Sequence, residues 1–291
     1  MDIVNENKLY QVINRFFTDP RNLLGELIQN ACRAKADKID ILMGKEKEYG
    51  IPGDYTLYIQ DNGTGINDLK ALLGIAYSDW DAAVENQEPA GMGFLQLIAS
   101  AYSVKVHSAF GYLFIDCDRF LNDAEYRRKL ISRKQKPDPK RKGTTILAEL
   151  KQAANQHMYS DKSYYSGYDA ALTLNGEPIQ SCTLAGMVEY AKNNHTPYKV
   201  LYYKDNPLFV TFREMFDYQY YNRQINWYGQ YIPLSPQPEF NKALRIYYEV
   251  RTGTPLTPLY PDRVKLCKDD KFKDFMNFVN KELAAFIAEY L

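Results

Sequence analysis

Closely spaced cysteine and histidine residues are missing from this sequence. The chain has 291 residues but only 4 cysteines, which lie far apart without a Cys-x-x-Cys pair, and its 3 histidines are equally scattered. This distribution argues against a protein-ligated zinc site and against a disulfide framework. We therefore expect a protein that works in a reducing compartment.

Long apolar runs and an excess of one charge are also missing. No apolar run approaches the ~20 residues that a membrane-spanning helix needs, and the N-terminus lacks the basic flank and apolar stretch of a signal peptide. Lys+Arg and Asp+Glu both number 36, so the formal net charge is zero. We expect a cytoplasmic protein without a membrane partner, in which any contact with nucleic acid comes from a local patch.

Two local features are candidates for such a patch. The segment Arg127–Lys142 is rich in Lys and Arg and contains one Asp; such a run binds phosphates or, more often, is a solvated loop between strands. Tyrosine is frequent, with 25 residues, and it becomes denser in the second half, for example at Tyr202, Tyr203 and Tyr231. These rings form either a stacking surface for single-stranded nucleic acid or half-buried sheet faces, which we favour.

Hydrophobic periodicity predicts an α+β protein with two domains. Helical spacing over Asn5–Phe17 and from Pro20 to about Ala36 precedes a series of alternating segments that favour strands. A polar and poorly periodic segment follows Leu150. We therefore expect one domain over residues 1–155 and a smaller β-rich α/β domain over 156–291, which contains an Asn175-Gly176 hairpin and closes with an amphipathic helix.

The first candidate site lies on the predicted helix that begins at Pro20. Glu26 and Asn30 are four residues apart and therefore share one helix face. A carboxylate can take a proton from an attacking water, and an amide oxygen can ligate Mg²⁺. Taken alone, this pair is more often an ordinary helical Glu and a solvated Asn.

Three glycine-containing motifs follow. Asp61-Asn62-Gly63-Thr64-Gly65-Ile66 comes directly after a predicted strand, where the Asp can accept a hydrogen bond and the glycines let the backbone approach a flat ligand. Gly91-Met92-Gly93-Phe94 opens a predicted helix, whose N–H groups and positive dipole end suit phosphates. Gly143-Thr144 leads into a strand. Each motif alone also fits an ordinary turn or helix entry.

The order of the four motifs is more specific than any one of them. An E-x-x-x-N helix, a strand ending in D-x-G-x-G, a G-x-G at a helix start and a strand opening with G-T follow one another in the first half of the chain. In this respect the sequence resembles the GHKL ATPase superfamily of gyrase B, MutL and the heat-shock chaperones, and Glu26–Ile41 looks most like the MutL and MORC branches. The resemblance covers roughly residues 1–150 and implies a Bergerat-type two-layer α/β sandwich, a mixed sheet covered by helices.

The resemblance implies a role for each motif residue. Glu26 stands at the position of the general base, Asn30 at that of the Mg²⁺ ligand, and Asp61 at that of the residue that binds the adenine amino group. Thr144 matches the Thr that supports this Asp. The other residues expected to bind ATP line the base pocket or the phosphate-facing loop: Gly63, Gly65, Ile66, Gly91, Met92, Gly93 and Phe94.

The sequence departs from the family pattern in three places. Arg33 stands where MutL-like members usually have an Asp, and it puts positive charge beside the expected metal site. Glu88 stands where relatives often have an extra glycine in the phosphate loop. No motif between residues 151 and 291 selects a lysine for the γ-phosphate.

These motifs predict an ATPase that requires Mg²⁺ and uses nucleotide state to change conformation. We expect ATP, but not ADP, to close the loop Tyr77–Ala90 and promote a homodimer that acts on DNA or on a protein partner. Arg33 and Glu88 keep open a weakly hydrolysing regulatory or scaffold subunit. A nucleic-acid-binding protein with a vestigial nucleotide site is the third alternative.

Overall fold

The chain folds as an α+β protein, as the sequence predicts. The computed structural model describes residues 20–44, 56–66, 68, 72–73, 93–133, 136–151, 162–215, 225–236, 238, 242–259 and 265–290. In these residues there are six α-helices and two mixed sheets, and the chain divides into two units. The predicted helix Asn5–Phe17 lies outside the described residues.

The first unit contains a seven-stranded sheet. The strands are β1 (Lys38–Gly44), β2 (Thr56–Asp61), β3 (Ala101–Ser108), β4 (Gly111–Asp116), β5 (Thr145–Leu150), β6 (Ala171–Leu174) and β7 (Glu177–Ile179). They lie in the order β4-β3-β5-β2-β1-β6-β7. β1 and β6 run parallel, and the other neighbours are antiparallel.

One face of this sheet is buried beneath helices. Successive side chains of a strand point to opposite faces, and one alternate set, which includes Ile39, Val104 and Ala148, is buried. Helices α1 (Pro20–Arg33) and α2 (Gly93–Ser100) contact each other, and α2 contacts β3. Their apolar residues are buried as well. The helix predicted from Pro20 is therefore present and begins at that residue.

Two short helices follow β4 that the sequence analysis did not predict. They are α3 (Cys117–Asn122) and α4 (Ala124–Ser132). Asp116 accepts the Arg119 N–H at 3.0 Å, and Asp123 accepts the N–H groups of Glu125 and Tyr126 at 2.9 and 3.0 Å. A capping Asp thus precedes each helix. The basic segment Arg127–Lys142, expected more often as a loop, consequently begins inside α4.

The Asn175-Gly176 hairpin is confirmed, but it belongs to the first sheet. Both turn residues have positive φ, 52° and 78°, which a tight hairpin turn requires. β6 pairs with β7 across this turn and with β1 on its other side. The sequence-based division at residue 155 placed the hairpin with the C-terminal part, because pairing with a distant strand leaves no local signal.

The second unit contains residues Ser163–Tyr168 and those from Ser181 onward. Helix α5 (Leu184–Asn193) precedes the strands β8 (Tyr198–Tyr203), β9 (Asn206–Phe212), β10 (Ile225–Trp227), β11 (Gln230–Ile232) and β12 (Leu244–Val250), which lie in the order β11-β10-β12-β9-β8. The predicted C-terminal helix is present as α6 (Asp270–Tyr290), and it buries Phe275, Val279, Leu283 and Phe286.

The tyrosines of the second unit do not form one exposed surface among the described residues. Tyr203 and Tyr231 are buried, whereas Tyr202 is 67% exposed. The Tyr203 ring packs edge-on against Phe275 of α6, with 5.3 Å between the centroids. For Tyr203 and Tyr231 the sheet-face alternative therefore holds. In the described part of the chain, no helix has the length and apolar character needed to cross a membrane.

Candidate functional site

Helix α1 carries the predicted pair of Glu26 and Asn30, together with Arg33. Glu26 is 6% exposed and Arg33 is 7% exposed, so both charged side chains are buried. Arg33 Nη1 donates a hydrogen bond to Asn30 Oδ1 at 3.2 Å. The amide oxygen that the sequence analysis assigned to Mg²⁺ thus accepts a hydrogen bond from a cation one helical turn away.

The start of α2 lies directly against Glu26. A Cβ atom placed on Gly93 would lie 2.9 Å from Glu26 Cβ and 3.1 Å from Glu26 Oε2. Only glycine at this position allows the approach without displacing Glu26. The approach brings the Glu26 carboxylate to the N-terminal turn of α2, where backbone N–H groups lack intrahelical partners. Phe94 is buried. Gly91, Met92, Glu88 and the loop Tyr77–Ala90 lie outside the described residues.

The Asp61–Ile66 loop is attached to the C-terminal end of α1. The Thr64 N–H donates to the Ala34 carbonyl at 2.7 Å. Asn62 Oδ1 accepts the N–H groups of Asp37 and Lys38, each at 3.1 Å. These bonds hold the loop at one end of the helix that presents Glu26 and Asn30.

Within this loop, the Asp61 carboxylate is partly buried and accepts backbone hydrogen bonds. Its Oδ1 accepts the Gly63 N–H at 2.8 Å, and the Thr144 N–H also donates to the carboxylate. Burial raises the pKa of Asp61 above its ordinary 3.8, although the two N–H donors and the charge of Arg141 act in the opposite direction. Asp61 is therefore a partly buried acceptor held in place by main-chain donors.

Gly143 and Thr144 join the same loop from the start of β5. The Gly143 N–H donates to the Gly63 carbonyl at 2.6 Å, and the Asp61 N–H donates to the Thr144 carbonyl at 3.0 Å. Gly143 has φ +72°, and a Cβ there would overlap the Asp61 carbonyl oxygen. The close packing of these two segments therefore depends on glycine at this position.

Ser108, at the end of β3, is a member of this cluster that the sequence analysis missed. Its Oγ accepts the Ile66 N–H at 2.7 Å, donates to the Gly143 carbonyl at 3.2 Å and lies 2.9 Å from Thr144 Oγ1. Gly65, at φ +77°, packs close to the same hydroxyl. No motif marks Ser108, because its partners come from two other segments of the chain.

The structure thus gathers the described parts of the four motifs along α1. Glu26 and Ala34 are eight residues apart, which corresponds to about 12 Å along the helix axis. One end has a carboxylate acceptor in a glycine-containing loop. The other has a carboxylate beside a helix N-terminus. Such an array suits an elongated ligand with a flat hydrogen-bond donor at one end and anionic groups at the other.

Comparisons with known proteins show a similarity in fold and no similarity at the level of a sequence family. No protein-family model matches the sequence, and no curated protein matches it. The chain is similar to the crystal structure of the N-terminal domain of a DNA repair protein, with a TM-score of 0.58 and 13% sequence identity. The match covers 97% of this chain and 98% of that one.

Proposed function

We propose that the chain binds ATP with Mg²⁺ and hydrolyses it in the manner of a GHKL ATPase of Bergerat fold. The observation that supports this proposal most is the meeting of separate motifs on one helix. Gly93 packs on Glu26, and the Asp61 loop is bonded to Ala34 and to Gly143. A chance set of turns has no reason to converge in this order.

The Asp61 end suits adenine. An ionised carboxylate only accepts hydrogen bonds, and the amino group of adenine is a donor where guanine presents an oxygen acceptor. In this proposal Asp61 takes the adenine amino group, Gly63, Gly65 and Ile66 line the base, and Thr144 supports the carboxylate. Guanine would place two acceptors against each other, so the site should reject GTP.

The Glu26 end suits phosphates and an attacking water. The N-terminal turn of α2 at Gly93 offers backbone N–H groups to an anion, and we assign Gly91, Met92 and Phe94 to the same loop. Asn30 Oδ1 is the protein ligand that we assign to Mg²⁺, which takes its other ligands from phosphate and water and would neutralise charge on the phosphates. Glu26 would take the proton of the attacking water.

One contact favours a second candidate, a weakly hydrolysing regulatory subunit. Because Arg33 donates to Asn30 Oδ1 at 3.2 Å, a metal ion at that oxygen would have to displace the guanidinium and would be repelled by it. In this candidate the chain binds nucleotide and changes conformation or assembly, with little turnover.

The proposed partners are a second copy of the chain and DNA. ATP, but not ADP, should promote the homodimer through closure of the predicted loop Tyr77–Ala90. The similarity in fold to the N-terminal domain of a DNA repair protein is compatible with a DNA partner.

The test is to measure nucleotide binding and steady-state hydrolysis on the purified chain. We expect ATP to bind at least about tenfold more tightly than GTP, the effect of roughly 1.4 kcal/mol, and hydrolysis to require Mg²⁺. Absence of ATP binding would overturn the proposal. Binding without turnover would select the regulatory candidate. Light scattering with a non-hydrolysable ATP analogue, ADP or no nucleotide tests the dimer; one mass under all three conditions would contradict it.

A further inference from the structure

The edge strand β4 exposes two aromatic rings on the face of the first sheet that α1 and α2 do not cover. Tyr112 is 55% exposed and Phe114 is 43% exposed, whereas Leu113 and Ile115 between and after them are buried. Because strand side chains alternate between faces, both rings lie on the uncovered face. Exposed aromatic rings side by side on an uncovered sheet face are typical of an interaction site.

Cationic and titratable groups flank these rings on the neighbouring strands. In the β3–β4 register, His107 is opposite Tyr112 and Lys105 is opposite Phe114. On the next strand, Thr145 is opposite His107, and Arg141 Nη2 donates to Thr145 Oγ1 at 2.5 Å. Opposed residues share a face of the sheet, so Lys105 and His107 border the two rings, and Arg141 lies one strand further away, beside Thr145.

The C-terminal part of the basic segment is held against the same end of the sheet. The Asp138 N–H donates to the Ala109 carbonyl at 2.9 Å, and a Cβ on Gly111 would lie 3.1 Å from the Lys136 carbonyl carbon. These contacts place the exposed Lys136 and Lys140 beside the turn that precedes Tyr112. We call Lys105, His107, Tyr112, Phe114, Lys136, Lys140 and Arg141 the aromatic–basic face.

On β3, β4 and β5, the acidic groups of the same sheet face lie towards its other end; Asp40, on the more distant β1, is paired with Lys38 at 3.0 Å. Ser103 is opposite Asp116 on β4 and Glu149 on β5. Asp116 caps α3, and Glu149 accepts a hydrogen bond from Ser103 Oγ at 3.3 Å. Asp138 is the one carboxylate in the segment 136–142, which has four Lys and Arg residues. The turn end of the face is thus positively charged, although the whole chain is neutral.

We propose that the aromatic–basic face binds single-stranded DNA. Unpaired bases would stack on Tyr112 and Phe114, and the phosphates would lie along Lys105, Lys136 and Lys140. A duplex keeps its base faces stacked inside and cannot use the rings in this way. The proposal rests on the DNA partner named under the proposed function. Its residues are distinct from Glu26, Asn30 and Asp61, although the charge of Arg141 acts on Asp61.

The first experiment measures fluorescence anisotropy of a labelled oligodeoxythymidine of about 16 nucleotides without ATP. We expect Tyr112→Ala/Phe114→Ala to weaken binding by about tenfold or more per ring, and Tyr112→Phe, which keeps the ring, to bind like the parent. Tyr202→Ala is the matched control, because it removes an exposed tyrosine from the second unit. Thermal unfolding of each variant checks that the fold is retained.

The second experiment measures the salt dependence of the same binding. Each phosphate contact with a single strand contributes about 0.7 to the slope of log K against log salt. Lys136→Gln/Lys140→Gln should therefore reduce the slope by about 1.4. Arg141 is left unchanged in these variants because its charge also acts on Asp61.

Four outcomes would overturn the proposal. The first three concern affinity: the double alanine variant binds the single strand as tightly as the parent, the parent binds duplex DNA equally tightly, or the parent binds RNA of the same sequence more tightly. In the fourth, the double alanine variant binds DNA normally but has a different mass from the parent in light scattering. The last would identify a protein interface. Asp61→Asn should weaken ATP binding and leave DNA binding unchanged, which separates failure of this proposal from failure of the nucleotide site.

Discussion

The two ends of the candidate site on α1 differ in the hydrogen bonds that their polar groups make. At the Asp61 end, the carboxylate, Thr144 and Ser108 are joined in one network by main-chain and hydroxyl donors. At the Asn30 end, the amide oxygen meets the Arg33 guanidinium. The Asp61 end can bind a ligand without rearrangement, whereas at the other end the hydrogen bond from Arg33 to Asn30 must break before a metal ion can bind the amide oxygen.

This difference means that nucleotide binding and nucleotide hydrolysis are separable in this chain under the proposed function. A preorganised end contributes affinity because no group has to be ordered or released on binding. At the other end, metal binding has to displace a buried cation, and the free energy of that rearrangement lowers the affinity for the metal. The two ends should therefore respond differently to substitution.

The largest effect should come from Glu26→Gln at the hydrolytic end. Glutamine keeps the shape that packs against Gly93 but cannot accept a proton, so turnover should fall by about 10²–10⁴-fold while ATP affinity stays close to that of the parent. Steady-state and single-turnover assays measure both. Glu149→Gln, on the uncovered face of the same sheet, is the control. Parental turnover in Glu26→Gln would remove Glu26 as the base.

Substitution of Gly143 tests how closely the Asp61 end is packed. Gly143→Ala should lower the free energy of unfolding of the first unit by about 3 kcal/mol, from the left-handed backbone and the overlap with Asp61. Gly176 has a similar φ, +78°, with nothing near its Cβ position, so Gly176→Ala should cost only about 1–2 kcal/mol. Urea denaturation compares them. Equal losses would show that the contact with Asp61 does not matter.

Asp61→Asn should weaken ATP binding by about 5- to 150-fold, equivalent to 1–3 kcal/mol. The amide presents a donor or a weaker acceptor to the adenine amino group and to the two backbone N–H groups. Fluorescence titration with a labelled ATP analogue measures the affinity. Asp37→Asn changes the other carboxylate that contacts this loop and should bind like the parent. Undiminished binding by Asp61→Asn would remove the base-site assignment.

The smallest effect should come from Arg33→Ala, which removes the guanidinium from Asn30 Oδ1. We expect Mg²⁺ to improve ATP affinity by up to about tenfold more in this variant than in the parent, in keeping with the net contribution of one ordinary hydrogen bond. Titrations with and without Mg²⁺ give the ratio. Lys38→Ala removes an exposed cation and is the control. An unchanged Mg²⁺ dependence would mean that Arg33 does not restrain the metal site.

Much of the fold was predictable from local pattern. The start of α1 at Pro20, the strand that precedes the Asp61 loop, the Asn175-Gly176 turn and helix α6 were all expected from local pattern, and the structure has them all. Helices α3 and α4 were missed although Asp116 and Asp123 cap them, because each is too short to show a clear period.

The sequence by itself determined which residues with useful chemistry stand at which turn or helix face, because those properties depend on a few neighbours along the chain. Only the tertiary structure decided which of them meet. Gly93 reaches Glu26, Ser108 reaches Thr144, and the basic segment reaches the turn beside Tyr112 through packing and strand pairing between distant segments. Such contacts form only when the sheet and its helices are assembled, so the local sequence pattern does not predict them.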